Sequence, residues 1–346
     1  MAGTTRNKTS SIVFVILGFS HHPEMKVIFF ILFLCIYIFT VLGNLMILVI
    51  INMDPVLHTP MYFFLRNLSF LEICISVTLP RVLVSLLSTD TSITFAGCAA
   101  QMYFFLLFGA TECCLLRKII SFTACALQLN CVILFVTCEC FLLGAMAYDR
   151  QVAICHPLHY ATMMNRDRCF KMAVGSWLSG VPVALGFTTW LFTLPFCGRN
   201  TVDHFFCDVS PVLKLVCADT ALFELLIFIA IIIIVMIPFS LIATSYLCII
   251  HAVLQIPSAV GQRRAFSTCA AHLVVVTLFY STTGIIHLRP KSGLSSNMKK
   301  MVSLSYTVVT PMLNPIIYSL RNQEVKQSLK RCVVKCLFPS PSKQKW

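Results

Sequence analysis

Long apolar runs separated by short polar breaks dominate the chain, and the runs have the length of membrane spans. Six of them, roughly residues 26 to 51, 59 to 83, 171 to 193, 221 to 250, 269 to 288 and 301 to 320, meet the requirement of about 20 residues for a helix to cross a bilayer. A seventh region, 98 to 150, is apolar but too long for one span. Alternating strands of about 10 residues, the mark of an outer-membrane barrel, are absent from the pattern. The expected fold class is therefore an all-α polytopic membrane protein. Its expected parts are an extracellular N-terminus over 1–25, a transmembrane helical domain over 26–320 and a cytoplasmic tail over 321–346.

Polar residues interrupt these runs at few places. Glu72 is an ionisable group at membrane depth, which is costly unless it faces the bundle interior and a partner. Gly43-Asn44 places a small residue beside an amide and reads as a helix-packing contact. Thr59 can cap the second span, and Pro60 suits its first turn, where a missing amide hydrogen is no loss. Pro238 frees a carbonyl in mid-span, and Asn314-Pro315 breaks the backbone ladder while supplying an amide to satisfy it. After the last span, Val325, Leu329, Cys332 and Val333 recur at helical spacing among lysines, predicting a short helix on the inner membrane face.

The acid-base pair Asp149-Arg150 stands where an apolar run gives way to a basic loop. At the bilayer centre either charge costs about 2.5 to 3.5 kcal/mol on insertion scales, so the pair marks a helix end. Physics alone leaves Arg150 equally readable as a topological anchor or a switch.

Composition agrees with the pattern: 58% of the 346 residues are hydrophobic and 11% charged. An average soluble domain is about 25% charged. The net charge of +13 does not point to nucleic acid, because the basic residues are dispersed and most of the chain must lie in lipid. With the N-terminus outside, 13 of the 26 basic residues fall in cytoplasmic segments, as positive-inside topology favours, although Arg199, Lys214, Arg289, Lys291, Lys299 and Lys300 fall outside. Residues 11–19 imitate a signal-peptide core, but His21-His22-Pro23-Glu24 is a poor cleavage site and the first span can itself direct insertion. Asn7-Lys8-Thr9 is a glycosylation acceptor if lumenal, whereas Asn67-Leu68-Ser69 lies inside a span and is inert. No HExxH, GxxxxGK[ST] or GxSxG pattern indicates an enzyme, and no cofactor is expected. His272 reads as a packed or hydrogen-bonded helix residue rather than a metal ligand.

Cys98, Cys197, Cys207 and Cys217 lie in expected oxidising space and permit three pairings. Cys332 and Cys336 in the tail are either free thiols or palmitoylation sites.

Five motifs, in order, resemble the olfactory receptors, a large branch of the rhodopsin-like G-protein-coupled receptors. They are Pro60-Met61-Tyr62-Phe63-Phe64-Leu65 with Leu68-Ser69; Met146-Ala147-Tyr148-Asp149-Arg150 through Tyr160; Ser245-Tyr246; Ala265-Phe266-Ser267-Thr268-Cys269-Ala270-Ala271-His272-Leu273; and Pro311-Met312-Leu313-Asn314-Pro315-Ile316-Ile317-Tyr318. The resemblance covers nearly the whole chain and implies a seven-helix bundle at the plasma membrane. It implies that a small, hydrophobic, volatile odorant binds within the bundle and that a heterotrimeric G protein of the adenylyl cyclase pathway docks below.

The resemblance assigns switch and coupling roles to Asp149, Arg150, Tyr246, Asn314, Pro315 and Tyr318, with Asp149 restraining Arg150 at rest. It puts the pocket at Phe105, Leu106, Gly109 and Ala110, with Tyr280 and Thr283 opposite. It pairs Cys98 with Cys207 and Cys197 with Cys217, and places a sodium ion or waters at Glu72 and Asn314.

Two features depart from the family. Gln151 stands where a Tyr is usual. Cys98 precedes Arg150 by 52 positions where the family has about 25, a surplus of some 27 residues in the third span. The surplus repeats loosely, since Phe108 to Leu116 recurs as Phe135 to Leu143, and removing 117–143 would restore the spacing. That segment reads as an insertion, with the second copy, about 128–150, as the span because it runs directly into Asp149-Arg150. Two competing functions follow. One is a non-signalling receptor variant retained in the endoplasmic reticulum by the surplus. The other, a transporter or channel, is disfavoured by the absence of paired interrupted spans and of a charged path.

Overall fold

The computed structural model describes residues 13–16, 26–76, 83, 119–197, 201–202, 207–287, 308, 310–317 and 323–337. Its long helices are α1 (Lys26–Met53), α2 (Pro60–Ser76), α3 (Phe122–Cys155), α5 (Arg166–Thr193), α7 (Ala221–Leu254), α8 (Ala259–His287) and α9 (Gln323–Leu337). Two short helices, α4 (Tyr160–Met163) and α6 (Val209–Leu213), lie in the connections, and residues 310–317 are also helical. Among the described residues, four helices are long and apolar enough to cross a membrane: Val27–Met53, Phe122–Cys155, Arg166–Thr193 and Ala221–Leu254. Part of α8 passes the same test as a bent pair, Ala259–Ser267 with Cys269–Gly284. The molecule is a helical membrane protein.

Its apolar surface is turned outward. Leu222, Leu225, Ile233 and Ile237 on α7 are exposed, as are Leu178 and Leu185 on α5 and Val27, Ile31 and Leu42 on α1. Polar and small residues turn inward, among them Thr40, Asn44, Glu72, Glu139, Asp149 and Ser245. Lipid is as apolar as leucine, so the exposed rows carry no solvation cost there, and small inward residues allow helices to approach. Gly180 on α5 is one such approach, for a Cβ there would lie 2.8 Å from Leu134 Cδ1 and 2.9 Å from the Leu134 carbonyl oxygen of α3.

α3 is the axis of the bundle. It packs along α5 and α7 and also touches α2 and α8. At 34 residues it is about 51 Å long, enough to cross the hydrocarbon core of about 30 Å and project beyond it. The helix is unbroken through residues 122–143, so most of the 117–143 segment expected as an insertion is part of α3 itself. The repeat explains why. Its shift of 27 extends upstream, so that Ile93, Phe95, Cys98, Ala99 and Gln101 match Ile120, Phe122, Cys125, Ala126 and Gln128. Cys125 precedes Arg150 by 25 positions, the spacing that Cys98 lacks.

The all-α expectation is also incomplete. Val13–Ile16 (β1), Ile119–Ser121 (β2) and Thr201–Val202 (β3) form a small sheet in the order β2-β1-β3. β1 runs antiparallel to β2, with Phe14 opposite Ile120, and parallel to β3, with Val15 opposite Thr201. The Val-Phe-Val-Ile run is far too short to span, and its β-branched composition suits a strand. Asn7 lies outside the described residues.

Candidate functional site

A series of polar contacts threads the bundle from the start of α3 to the tail, and each is set by where a helix places its few polar residues.

At the start of α3, Cys125 is disulfide-bonded to Cys207, with Cα atoms 5.6 Å apart. The pairing expected for Cys98 is thereby corrected, since Cys125 takes its place; Cys98 itself lies outside the described residues. Gln128, one turn on, accepts a 3.2 Å hydrogen bond from the Cys207 amide, so α3 holds the loop by a covalent and a polar contact. Cys197 and Cys217 form a second disulfide within that loop, with Cα atoms 5.8 Å apart.

Farther in, Tyr280 and Thr283 sit one turn apart on α8. Their hydroxyls, buried without a hydrogen-bond partner among the described residues, are the polar atoms there that a ligand could satisfy. Tyr280 packs on Phe239 of α7 with ring centroids 5.4 Å apart. The other expected pocket residues, Phe105, Leu106, Gly109 and Ala110, lie outside the described residues. Their counterparts 27 positions later, Val132, Ile133, Val136 and Thr137, are on α3.

At mid-depth Asn314 Nδ2 donates to Glu72 Oε1 across the bundle. The Glu72 carboxyl also shares a hydrogen bond with Glu139 of α3, and its Oε2 is buried without a partner among the described residues. Among the described residues no group of three or more His, Cys, Asp or Glu side chains could hold a metal ion. Asn44 Nδ2 donates to the Pro311 carbonyl at 3.2 Å, and a Cβ on Gly43 would lie 3.0 Å from Pro315 Cβ. Gly43-Asn44 is thus the seat of the Asn314-Pro315 segment on α1. Sequence reasoning missed Glu139 as a partner, although its place 27 positions after Glu112 is a visible signal.

The C-terminal end of α3 carries Asp149 and Arg150, and these neighbours take separate partners. Buried Asp149 accepts a 2.9 Å hydrogen bond from the Tyr160 hydroxyl, and half-buried Arg150 directs Nη2 to the Met61 sulfur in the first turn of α2. Burial and the Asp149 charge push the Tyr160 phenol well above its ordinary value, which keeps it a proton donor. Nearby, the Tyr246 hydroxyl lies 2.8 Å from His272 Nδ1, bridging α7 and α8. His272 is thus a hydrogen-bonded helix residue, with a partner that only the packing of two helices supplies. Tyr318 lies outside the described residues.

α9 is fastened to the connection between α1 and α2. Arg331 donates to Asp54 Oδ2 through Nε at 3.0 Å and Nη2 at 2.7 Å, and Nη2 also donates to Ser328 Oγ at 2.7 Å. Tyr62 donates to Glu324 Oε2 at 2.6 Å. Hydrogen bonds from Ser328 and then Arg331 hold the Asp54 carboxyl down to about 2.

Comparison with known proteins matches this sequence to one family. The olfactory receptor profile aligns with residues 33–119 and again with 115–336, changing over between the two copies of the repeat. Human olfactory receptor 10A7 is 51% identical over 94% of this chain and 95% of its own length. Human olfactory receptor 10A2 is 53% identical over 93% and 98%, and human olfactory receptor 10A5 is 52% identical over 96% of each chain. With the profile and these relatives running from the first helix into the tail, the chain belongs to the olfactory receptor family, non-enzymatic receptors of the membrane.

Proposed function

We propose that this chain is an odorant receptor at the plasma membrane, with seven spans, an extracellular N-terminus and a cytoplasmic α9. A small, weakly polar ligand enters between α3, α7 and α8, against Val132, Ile133, Val136 and Thr137, and finds Tyr280 and Thr283 opposite. These four α3 residues replace Phe105, Leu106, Gly109 and Ala110 because Cys125 replaces Cys98 as the anchor of α3. The apolar wall selects by shape, and the two unpartnered hydroxyls reward one polar group on the ligand.

Ligand binding shifts a two-state bundle only through different contacts in its two states. At rest Tyr160 holds Asp149, Met61 receives Arg150, and Tyr246 holds His272. In the active state these contacts part, Arg150 turns into the inner crevice, and a heterotrimeric G protein that stimulates adenylyl cyclase docks there. Glu72, Glu139 and Asn314 would hold a sodium ion, which supplies positive charge to the paired carboxyls and favours the closed packing of α2, α3 and residues 310–317. The observation that carries this reading is the continuity of α3 from the Cys125–Cys207 bridge to Asp149-Arg150, which supplies one rigid lever between pocket and crevice.

Cyclic-AMP response to an odorant panel tests it, on the whole chain, on Arg150→Ala and on a chain lacking 93–119, which retains all of α3. A response in the first and third, lost in Arg150→Ala, is expected. Silence of both receptors at normal surface expression would overturn the reading.

A further inference from the structure

We propose that Ser328 is a phosphorylation site whose modification keeps α9 from returning to its seat on the first inner loop. Ser328 is the middle of a three-residue fastening: it accepts from Arg331 Nη2 at 2.7 Å and is hydrogen-bonded to Asp54, which Arg331 also grips at 2.7 Å. The serine is 0% exposed, and Asp54 is buried beside it. The flanking residues are Lys326, Lys330 and Arg331, with Lys326 and Lys330 exposed, which is the charge a kinase with an acidic substrate groove reads. A kinase therefore finds Ser328 only when α9 has lifted away.

The step balances simply. The Ser328 oxygen forms an ester bond to the γ-phosphorus of ATP, the bond from that phosphorus to the ADP oxygen breaks, and the hydroxyl proton passes to the carboxylate base of the kinase. No group is oxidised or reduced. The product carries about two negative charges at neutral pH where a buried hydroxyl stood. It faces the Asp54 carboxylate, takes Arg331 for itself and cannot fit the buried seat, so the fastening is lost on both sides.

The consequence reaches the switch. Tyr62, which donates to Glu324 of α9 at 2.6 Å, adjoins Met61, the residue that receives Arg150. Undocking of α9 therefore loosens the turn of α2 that receives the Arg150 side chain. The inference rests on the cytoplasmic placement of α9 proposed above and on no particular odorant.

The test uses the full chain in lipid nanodiscs, treated with protein kinase C, ATP and magnesium. Phosphate on Ser328, read by mass spectrometry, is expected at least threefold faster in Asp54→Asn than in the unaltered chain. Hydrogen exchange of amides 323–337 is expected to rise tenfold or more in Ser328→Glu and to stay within about twofold of the unaltered chain in Ser328→Ala. The Ala variant separates loss of the hydroxyl from gain of charge. No phosphate on Ser328 in either chain, or equal protection of α9 in Ser328→Glu and the unaltered chain, overturns the proposal.

Discussion

The Tyr160 hydroxyl donates a 2.9 Å hydrogen bond to Oδ1 of Asp149, tying the connection between α3 and α5 to the last turns of α3. Resemblance to the family implies that Asp149 restrains Arg150. The geometry instead gives Asp149 to Tyr160 and Arg150 to Met61, two of the three contacts that part in the proposed active state. Tyr160→Phe removes one of them and leaves a buried carboxyl without its donor, a cost of about 1 to 3 kcal/mol. Basal cyclic AMP should rise in this variant and thermal stability should fall. Unchanged basal signalling at equal surface expression would show that the Tyr160 contact is only structural. Tyr160 also sets an alkaline limit. The folded chain holds its phenolic proton more tightly than the unfolded chain, whose value is about 10, so the contribution is complete below pH 10 and is lost as pH rises beyond it.

The bridge that anchors α3 makes a sharper distinction. Cys125→Ser should abolish the link to Cys207, which closes a loop of 82 residues worth about 4 kcal/mol on the chain-entropy estimate. Surface expression should collapse. Cys98→Ser should leave the Cys207 bridge in place, as non-reducing peptide mapping would detect. A Cys98–Cys207 peptide in the unaltered chain would show that the first copy of the repeat, not the second, anchors the span.

That pair also marks the boundary of what the sequence makes legible. Apolar runs locate the long helices because lipid demands uninterrupted apolar length, and charged or amide residues inside them mark Glu72, Asn314 and Asp149-Arg150 as polar contacts. The third span is harder, because two copies with the same composition compete for one place. Comparison of residues 108–116 with 135–143 alone puts the excess at 117–143. Carrying the same shift of 27 back to Cys98 and Cys125 keeps α3 whole. Tyr160, Met61 and Glu139 escape notice for a different reason: each acts through a neighbour on another helix, and only packing brings them together.

Packing gives an independent check on the position of α3. Alanine at Gly180 would force its methyl to within 2.8 Å of Leu134 Cδ1 and 2.9 Å of the Leu134 carbonyl, so α5 must move off α3. Overpacking of this kind costs about 1 to 3 kcal/mol. Gly186, farther along the same helix, has open space where a methyl would go, with nothing within 4 Å, and Gly186→Ala should be neutral or slightly stabilising. Thermal unfolding of the two purified variants compares them directly, and equal midpoints would place the α3–α5 crossing elsewhere.

The fastening of α9 should be indifferent to physiological pH. Hydrogen bonds from Ser328 and Arg331 hold Asp54 at about 2, below its ordinary 3.8. Its contribution is therefore complete above pH 4 and lost only as pH falls towards 2. Hydrogen exchange of α9, corrected for the intrinsic rate, should be flat from pH 5 to 8. A loss of protection inside that window would mean that another group carries the contact.

Leu158 offers the most direct test of where the G protein docks. It is 93% exposed on the short turn Pro157–His159, between the end of α3 and Tyr160. An exposed leucine there contributes nothing to the fold, so its replacement should leave stability within about 0.5 kcal/mol. Against a protein partner it is an apolar anchor, and loss of such an anchor costs about 2 kcal/mol, or roughly thirtyfold in affinity. Leu158→Asp should therefore abolish the cyclic-AMP response while odorant binding and surface expression persist. If expression falls with signalling, the side chain serves lipid rather than a partner. If signalling survives, the docking surface lies away from this loop, and the contact between Tyr160 and Asp149 must act on Arg150 alone.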